Sequence, residues 1–363
     1  MQCPSLHELP PPPAGKSGWP WTEASPAWTE EVESDAVPAW PKLTIVTPAY
    51  NAATFIEETI RSVLLQGYPN LEYIVLDGGS TDSTLEIVRR YAPWLTCWCS
   101  EPDRGQSHAL NKGFEQATGE WLAWLNADDR YQPNALYQVA AAARRHPTTQ
   151  WIVGVLRWMD EEGTDVGASA PTHFTEITNP EQWQGRRWLA QVCFRGSGLF
   201  CPQPASFWSR TAHNLVGPLD ETLHYSMDLD LWGRLAQAQF APLFIAADLA
   251  SFRLHRAQKS AGGELRFMVD ELAIVEKWLL RNITAQEQQI LHQYRIWLAG
   301  HIRLQQQITQ VQGKRDRWQQ LMRNPQYHAL FTLARTFLHS TKLSRRLLLE
   351  LNKRRPIWMY FYG

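Results

Sequence analysis

From residue 43 onward, apolar and polar positions fall into blocks that alternate between two periods. Residues 43–47 form a short, β-branched apolar run ended by Pro48, the pattern of a strand. Phe55, Ile56, Ile60, Val63 and Leu64 then share one stripe at helical spacing, closed by Gly67 and Pro69. The same alternation predicts strands at 71–76, 95–100 and 121–125, and helices at 85–91, 106–117 and 133–146. Strand following helix in this way implies right-handed crossovers: an α/β fold with a mainly parallel central sheet flanked by helices. Such sheets bind ligands beyond the carboxyl ends of their strands, so the loops after the strands are where chemistry is expected.

Those four loops are dense in polar residues. They read Thr47-Pro48-Ala49-Tyr50-Asn51, Asp77-Gly78-Gly79-Ser80-Thr81-Asp82, Glu101-Pro102-Asp103-Arg104-Gly105 and Asn126-Ala127-Asp128-Asp129. All four should meet at one edge of the sheet. Asp128 and Asp129, adjacent at a strand end, repel each other unless a proton or cation intervenes. A hard divalent ion such as Mg²⁺ or Mn²⁺ relieves that repulsion and bridges to phosphates. A lone Asp-Asp pair more often holds a helix cap, but three acidic loops converging favour the ion. The Gly78-Gly79 turn allows close backbone approach to a ligand. No G-x-G-x-x-G turn follows the first strand, which argues against a dinucleotide-binding domain, and the Walker pattern with its lysine is also absent.

The stretches TIVTPAYNAATFIEETIRSVLLQGYPNLEYIVLDGGSTDST, EPDRGQSHALNKGFEQATGEWLAWLNADD and SMDLDLW resemble family 2 glycosyltransferases over about residues 42–260. The resemblance implies a GT-A fold and inverting transfer from a nucleoside-diphosphate sugar to an acceptor hydroxyl, in cell-surface polysaccharide or glycoconjugate synthesis. It places a cation at Asn126-Ala127-Asp128-Asp129, with Asp129 as the preferred direct ligand and His255 near the diphosphate or metal. Nucleobase and ribose contacts map onto Thr47, Pro48, Tyr50 and Asp77. Many relatives carry two acids at the start of the second loop, the second often touching the base; here Asp77 is followed by Gly78. The base contact is therefore open among Asp77, Asp103 and backbone. Pro202 to Trp208 resembles the loop beneath the donor sugar, and Met227 to Trp232 the segment bearing the general base, with Asp228 aligned to that base. Asp228 and Asp230 lie two apart, so on a helix they face different ways. Arg253 and Lys259 are further candidates for neutralising phosphate. Two other functions fit less well: a nucleotide-binding scaffold without turnover, against which Asp129 and Asp228 argue, and a nucleotidyltransferase, whose first loop would be rich in Gly and Lys or Arg.

Composition divides the chain. Residues 1–40, with Pro10 to Pro13, read as a flexible Pro-rich arm whose tryptophans hint at docking; 41–262 as the catalytic domain; and 263–363 as a helical extension. Net charge is −1, yet residues 281–363 hold 14 Lys and Arg against 3 Asp and Glu. The basic, amphipathic stretch from Leu330 to Arg355 suits either an anionic membrane surface, with a saccharide or lipid-linked acceptor, or the acidic body. No nucleic-acid recognition motif accompanies it. Five scattered cysteines fit reduced, buried thiols. With no secretory leader pattern and no apolar run near 18 residues, the expected location is cytoplasmic, soluble or peripheral on the membrane face.

Overall fold

A computed structural model of the chain describes residues 3–29, 39–169, 201–262, 264–281 and 283–310. The described residues form two compact units, one of residues up to 169 with Cys201–Ala261 and one beginning at Gly262.

The first unit is built on one sheet. In chain order its parallel half comprises β1 (Leu43–Ala49), α1 (Ile56–Leu64), β2 (Leu71–Asp77), α2 (Thr84–Tyr91), β3 (Cys97–Ser100), α3 (Gln106–Gln116) and β4 (Trp121–Trp124). Then come β5 (Arg130–Tyr131), α4 (Ala135–Arg145), β6 (Trp151–Met159) and β7 (Asp165–Ser169). The unit closes with β8 (Ser206–Ser209), α5 (Arg210–Val216), α6 (Met227–Gln237) and β9 (Leu243–Arg253). Every residue of β1 and β2 is buried, as a parallel strand covered on both faces requires.

Strand order is β3-β2-β1-β4-β8-β6-β9-β5, with β7 pairing β6. β1 to β4 are parallel throughout. β8 then joins antiparallel to β4 and to β6, so the sheet is mixed, and the parallel reading holds for the half in which the sequence alternates regularly. One consequence positions the site. β4 lies mid-sheet, whereas β5, reached through Asn126–Asp129, pairs with β9 at the far edge in the register Arg130↔Ser251. The Asp-bearing loop therefore crosses the ends of the intervening strands and meets the end of β9.

Over 3–29 the arm expected to be flexible is held against the body. Trp19 Nε1 donates to the Tyr131 carbonyl (2.9 Å) and Cys3 Sγ to that of Tyr68 (3.2 Å). Arg61, 1% exposed, donates to the carbonyls of Pro10, Pro20 and Trp21. This explains how α1 is wholly buried despite its charges: Arg61 faces the arm, Glu57 pairs with Arg90, and Glu58 pairs with Arg130 and Arg253. Cys3, Cys97, Cys99 and Cys201 carry thiols outside any disulfide.

In the second unit α7 (Glu264–Leu279) and α8 (Ala285–Gln310) pack together, with Tyr294 donating to Glu271. Among the described residues no helix is long and apolar enough to cross a membrane. The basic stretch from Leu330 to Arg355 lies outside the described residues.

Candidate active site

The loops after the parallel strands are stitched edge to edge. Asn51, at φ 48°, accepts from the Thr81 amide (2.9 Å) while its own amide donates to Ser80 Oγ (2.7 Å), and the Ala53 amide donates to Asp82 (3.1 Å). The second loop joins the third through Asp77, which accepts from Ser100 Oγ (2.6 Å), and through its carbonyl, which accepts from the Glu101 amide. The third joins the fourth where Gln106, first residue of α3, donates to Asn126 Oδ1 (2.8 Å). Asn126 Nδ2 donates onward to Gln203 (3.1 Å), whose side-chain amide donates to the Trp124 carbonyl. The expected convergence at one edge is thus present, and the Pro202–Trp208 segment begins beneath it.

Asp128 and Asp129 have divided fates. Asp129 is 1% exposed; its Oδ1 accepts from the Arg253 amide (3.0 Å) and its Oδ2 from Asn126 Nδ2 (3.2 Å). Burial first, and the neighbouring Asp128 charge second, push its pKa well above the ordinary carboxylate range. The Asp128 side chain is 30% exposed and lies 3.0 Å from His255 Nε2. His255 packs against the Phe55 ring, the centroids 4.6 Å apart. Asp129, expected as the direct ligand, has each carboxylate oxygen accepting from one protein donor, and Asp128 is the more exposed carboxylate of the two.

Thr47, Pro48 and Arg253, also singled out from the sequence, are buried. Thr47 Oγ1 is buried 3.1 Å from the Tyr73 hydroxyl, so its side chain belongs to the core. Pro48 is buried within β1, leaving Tyr50, 65% exposed, at the rim. Arg253 is committed to Glu58 and to the carbonyls of Asp128 and Glu161, so it cannot turn to a phosphate. Lys259 is exposed instead, with Nζ 2.9 Å from Gln106 and 5.5 Å from the Tyr225 ring centre.

The same contact brings in α6. Asp228 stands in its first turn, three residues after Tyr225, and is half-buried. Asp230 is fully buried and bound to Arg234 (2.8 Å), so of this pair Asp228 is the one open to solvent. Among the described residues no three His, Cys, Asp or Glu side chains cluster as a closed metal cage. One carboxylate and one imidazole fit a Mg²⁺- or Mn²⁺-type ion that takes its other ligands from phosphate and water. Sequence reasoning missed Gln106 and Glu58. Gln106 stood inside a motif already singled out, whereas Glu58 reads as an ordinary acid in a helix's first turn.

The family model for glycosyl transferase family 2 matches residues 44–205. The chain is a glycosyltransferase, with a family 2 domain over those residues. It is 26% identical over 259 residues to an uncharacterized glycosyltransferase of Rickettsia typhi, covering 68% of this chain and 74% of that one. It is 36% identical over 99 residues to a Bacillus subtilis glycosyltransferase named for teichuronic acid biosynthesis, covering 26% and 39%. Among solved structures, S. aureus TarS in complex with UDP-GlcNAc superposes with a TM-score of 0.54 at 18% identity, covering 72% of this glycosyltransferase and 80% of TarS. The mannosyltransferase PcManGT of Pyrobaculum calidifontis, in complex with GDP-Man and Mn²⁺, superposes with a TM-score of 0.50 at 18% identity, covering 87% and 86%. The fold of the glycosyltransferase is GT-A.

Proposed function

We propose that this glycosyltransferase moves a sugar from a nucleoside-diphosphate donor to an acceptor hydroxyl with inversion, with Asp228 as base and Asp128 and His255 holding a divalent cation. The observation that carries the reading is the Asp128–His255 pair, 3.0 Å apart on a rim where four strand-end loops meet. Asp128 and His255 would hold a Mg²⁺ or Mn²⁺ ion there, which when bound would supply positive charge to the departing diphosphate. Asp129, by gripping the Arg253 amide, holds the end of β9 so that His255 faces Asp128. Lys259 supplies positive charge at the same rim. Asp228 takes the acceptor proton as the hydroxyl attacks the anomeric carbon, while Asp230 fixes its helix through Arg234. Two solved neighbours hold UDP-GlcNAc and GDP-Man, which supports a nucleotide-sugar donor. The B. subtilis relative's name supports a saccharide or lipid-linked acceptor in envelope polysaccharide synthesis. Residues 41–262 would form the catalytic domain and 263–363 its helical extension.

The test measures release of nucleoside diphosphate from UDP-GlcNAc and GDP-mannose, alongside calorimetric binding of UDP and GDP with and without Mn²⁺. Binding should require the cation and be lost in Asp128→Ala. Asp228→Asn should bind as before and turn over at least about 100-fold more slowly. Binding indifferent to the cation, or full turnover in Asp228→Asn, would overturn the assignment.

A further inference from the structure

Helix α1 carries a buried acid to which the chemistry above gives no task. Glu58 is 3% exposed, and its Oε1 stands 2.9 Å from two guanidinium nitrogens, Arg130 Nη1 and Arg253 Nη2. Both guanidiniums are largely shielded from water, and a shielded charge is stable only beside an opposite one. The turn between β6 and β7 closes over the group. A Cβ at Gly163 would stand 3.3 Å from Glu58 Oε1 and from Arg253 Nη1, and 3.4 Å from Arg130 Nη1. Arg253 carries the contact onward: its Nε donates to the Asp128 carbonyl (2.9 Å) and its amide to Asp129 Oδ1 (3.0 Å). The Phe55 ring, just ahead of α1, lies 4.9 Å from the Arg253 guanidinium carbon and also packs on His255. Arg253 thus ties the turn bearing Asp128 to the strand end bearing His255.

We infer that Glu58 is a positioning residue for the transfer reaction: by anchoring the Arg253 guanidinium, it sets the separation of the Asp128 carboxylate and the His255 imidazole. The inference rests on the cation reading above and deepens it. With Glu58 charged, two guanidiniums share one carboxylate, and Arg253 is held toward α1. With that charge removed, Arg253 is drawn toward Asp128 and Asp129, whose backbone and side chain it already touches. The contact at the Asp128 carbonyl is then lost, and a positive charge competes with a cation for the same carboxylate. Glu57, one residue earlier, serves as an internal comparison. It is 7% exposed, pairs with Arg90 at 3.0 Å and accepts from the Tyr91 hydroxyl (2.8 Å). Its burial and bonding resemble those of Glu58, but its partners are on α2.

The experiment titrates Mn²⁺ into the full chain with saturating UDP or GDP, whichever the wild type binds, and reads affinity and number of sites by calorimetry. Diphosphate release is then followed against Mn²⁺ concentration. Glu58→Gln should weaken Mn²⁺ binding about tenfold, the lower end of what an outer partner of a metal ligand contributes. Its turnover should return toward the wild-type rate at saturating Mn²⁺. An acid with a purely structural role changes the number of active sites instead and leaves the affinity of each intact. Glu57→Gln, which breaks a pair of like burial, should leave the affinity unchanged. Glu58→Asp keeps the charge but draws the carboxylate back by one methylene. It should melt closer to wild type than Glu58→Gln and still bind Mn²⁺ more weakly than wild type; where Glu58→Gln does not fold, Glu58→Asp decides. Wild-type affinity in a folded Glu58→Gln or in Glu58→Asp, or an equal loss in Glu57→Gln, overturns the inference while leaving the cation site standing. Nucleotide binding by the wild type that ignores Mn²⁺ overturns the cation reading itself.

Discussion

Asp129→Ala and Asp128→Ala should separate cleanly, the first costing the fold and the second the chemistry. Truncating Asp129 strands the Arg253 amide, which is buried and donates to Oδ1, and removes one of the two acceptors of Asn126 Nδ2. A buried donor left without a partner costs about 1–3 kcal/mol, and the partial loss at Asn126 adds about 1 kcal/mol. Against this, alanine removes a carboxylate whose ionisation burial opposes. A net loss of about 2 kcal/mol follows, equivalent to roughly 4–8 °C in melting temperature for a domain of this size. Asp129→Asn keeps an acceptor for Arg253 without the charge, and should stay within about 1 kcal/mol of wild type at neutral pH. It should also change the pH profile. With its native pKa raised, Asp129 binds a proton that the unfolded chain has released, so wild-type stability falls as pH rises from the ordinary Asp range to the raised value. The Asn variant lacks that fall. Asp128→Ala breaks one partly exposed contact and relieves a like charge, so its melting temperature should move by no more than about 3 °C while cation-dependent nucleotide binding disappears. Differential scanning calorimetry across pH 4–8, paired with Mn²⁺-dependent binding, reads both axes. An Asp129→Ala protein that melts normally but has lost its cation, beside an Asp128→Ala protein that keeps it, would refute the division of labour.

Two further outcomes follow from buried groups. His213, desolvated first and then repelled by Arg234, has its pKa lowered from the ordinary 6.5 to about 4, and its Nδ1 accepts from Trp208. Between about pH 6.5 and 4 the unfolded chain takes up a proton that the native one refuses, so stability should drop as pH falls through that window, by up to about 3 kcal/mol. His213→Gln should flatten this slope in acid-range denaturant titrations, and an unchanged slope would place the titration elsewhere. Arg61→Leu should strand three carbonyls of the N-terminal segment and cost about 3 kcal/mol or more. Limited proteolysis should then cut within residues 3–29 well before the body; protection equal to wild type would show that Arg61 does not hold the segment.

The parallel half of the fold was legible because its signals are local. β1 and β2 are continuous apolar runs buried on both faces, and α1 to α3 begin within two residues of where the period changes. The other half joins β8 antiparallel to β4 and sends β5 across to β9, pairings set by contacts more than 80 residues apart. No period within a window of 11–18 residues reports those. The arm's tryptophans hinted at docking, but what anchors it was illegible for a related reason. Proline-rich composition says that residues 3–29 form no ladder, which holds, but not that a buried guanidinium on α1 collects their carbonyls.

At the site the sequence pointed to the loops that meet and favoured Asp129, where the structure leaves Asp128 the more exposed of the two. Four polar loops after four strands determine that carboxylates meet at one edge; that much follows from topology alone. Which of two adjacent aspartates stays accessible is a different question, because Asp128 and Asp129 lie in a turn closed by the Asp129 amide on the Asn126 carbonyl, and a partner distant in sequence decides which carboxylate is covered. β9 makes that decision here. Its Arg253 amide claims Asp129, and the turn just beyond it delivers His255 to Asp128. The same logic separates Asp228 from Asp230, where Arg234 claims one member, and Asp103 from Asp77, where two serines claim the other. In each pair the carboxylate buried among protein donors becomes scaffold. Its counterpart stays the more exposed of the two, and this is why the cation and proton roles are proposed for Asp128 and Asp228.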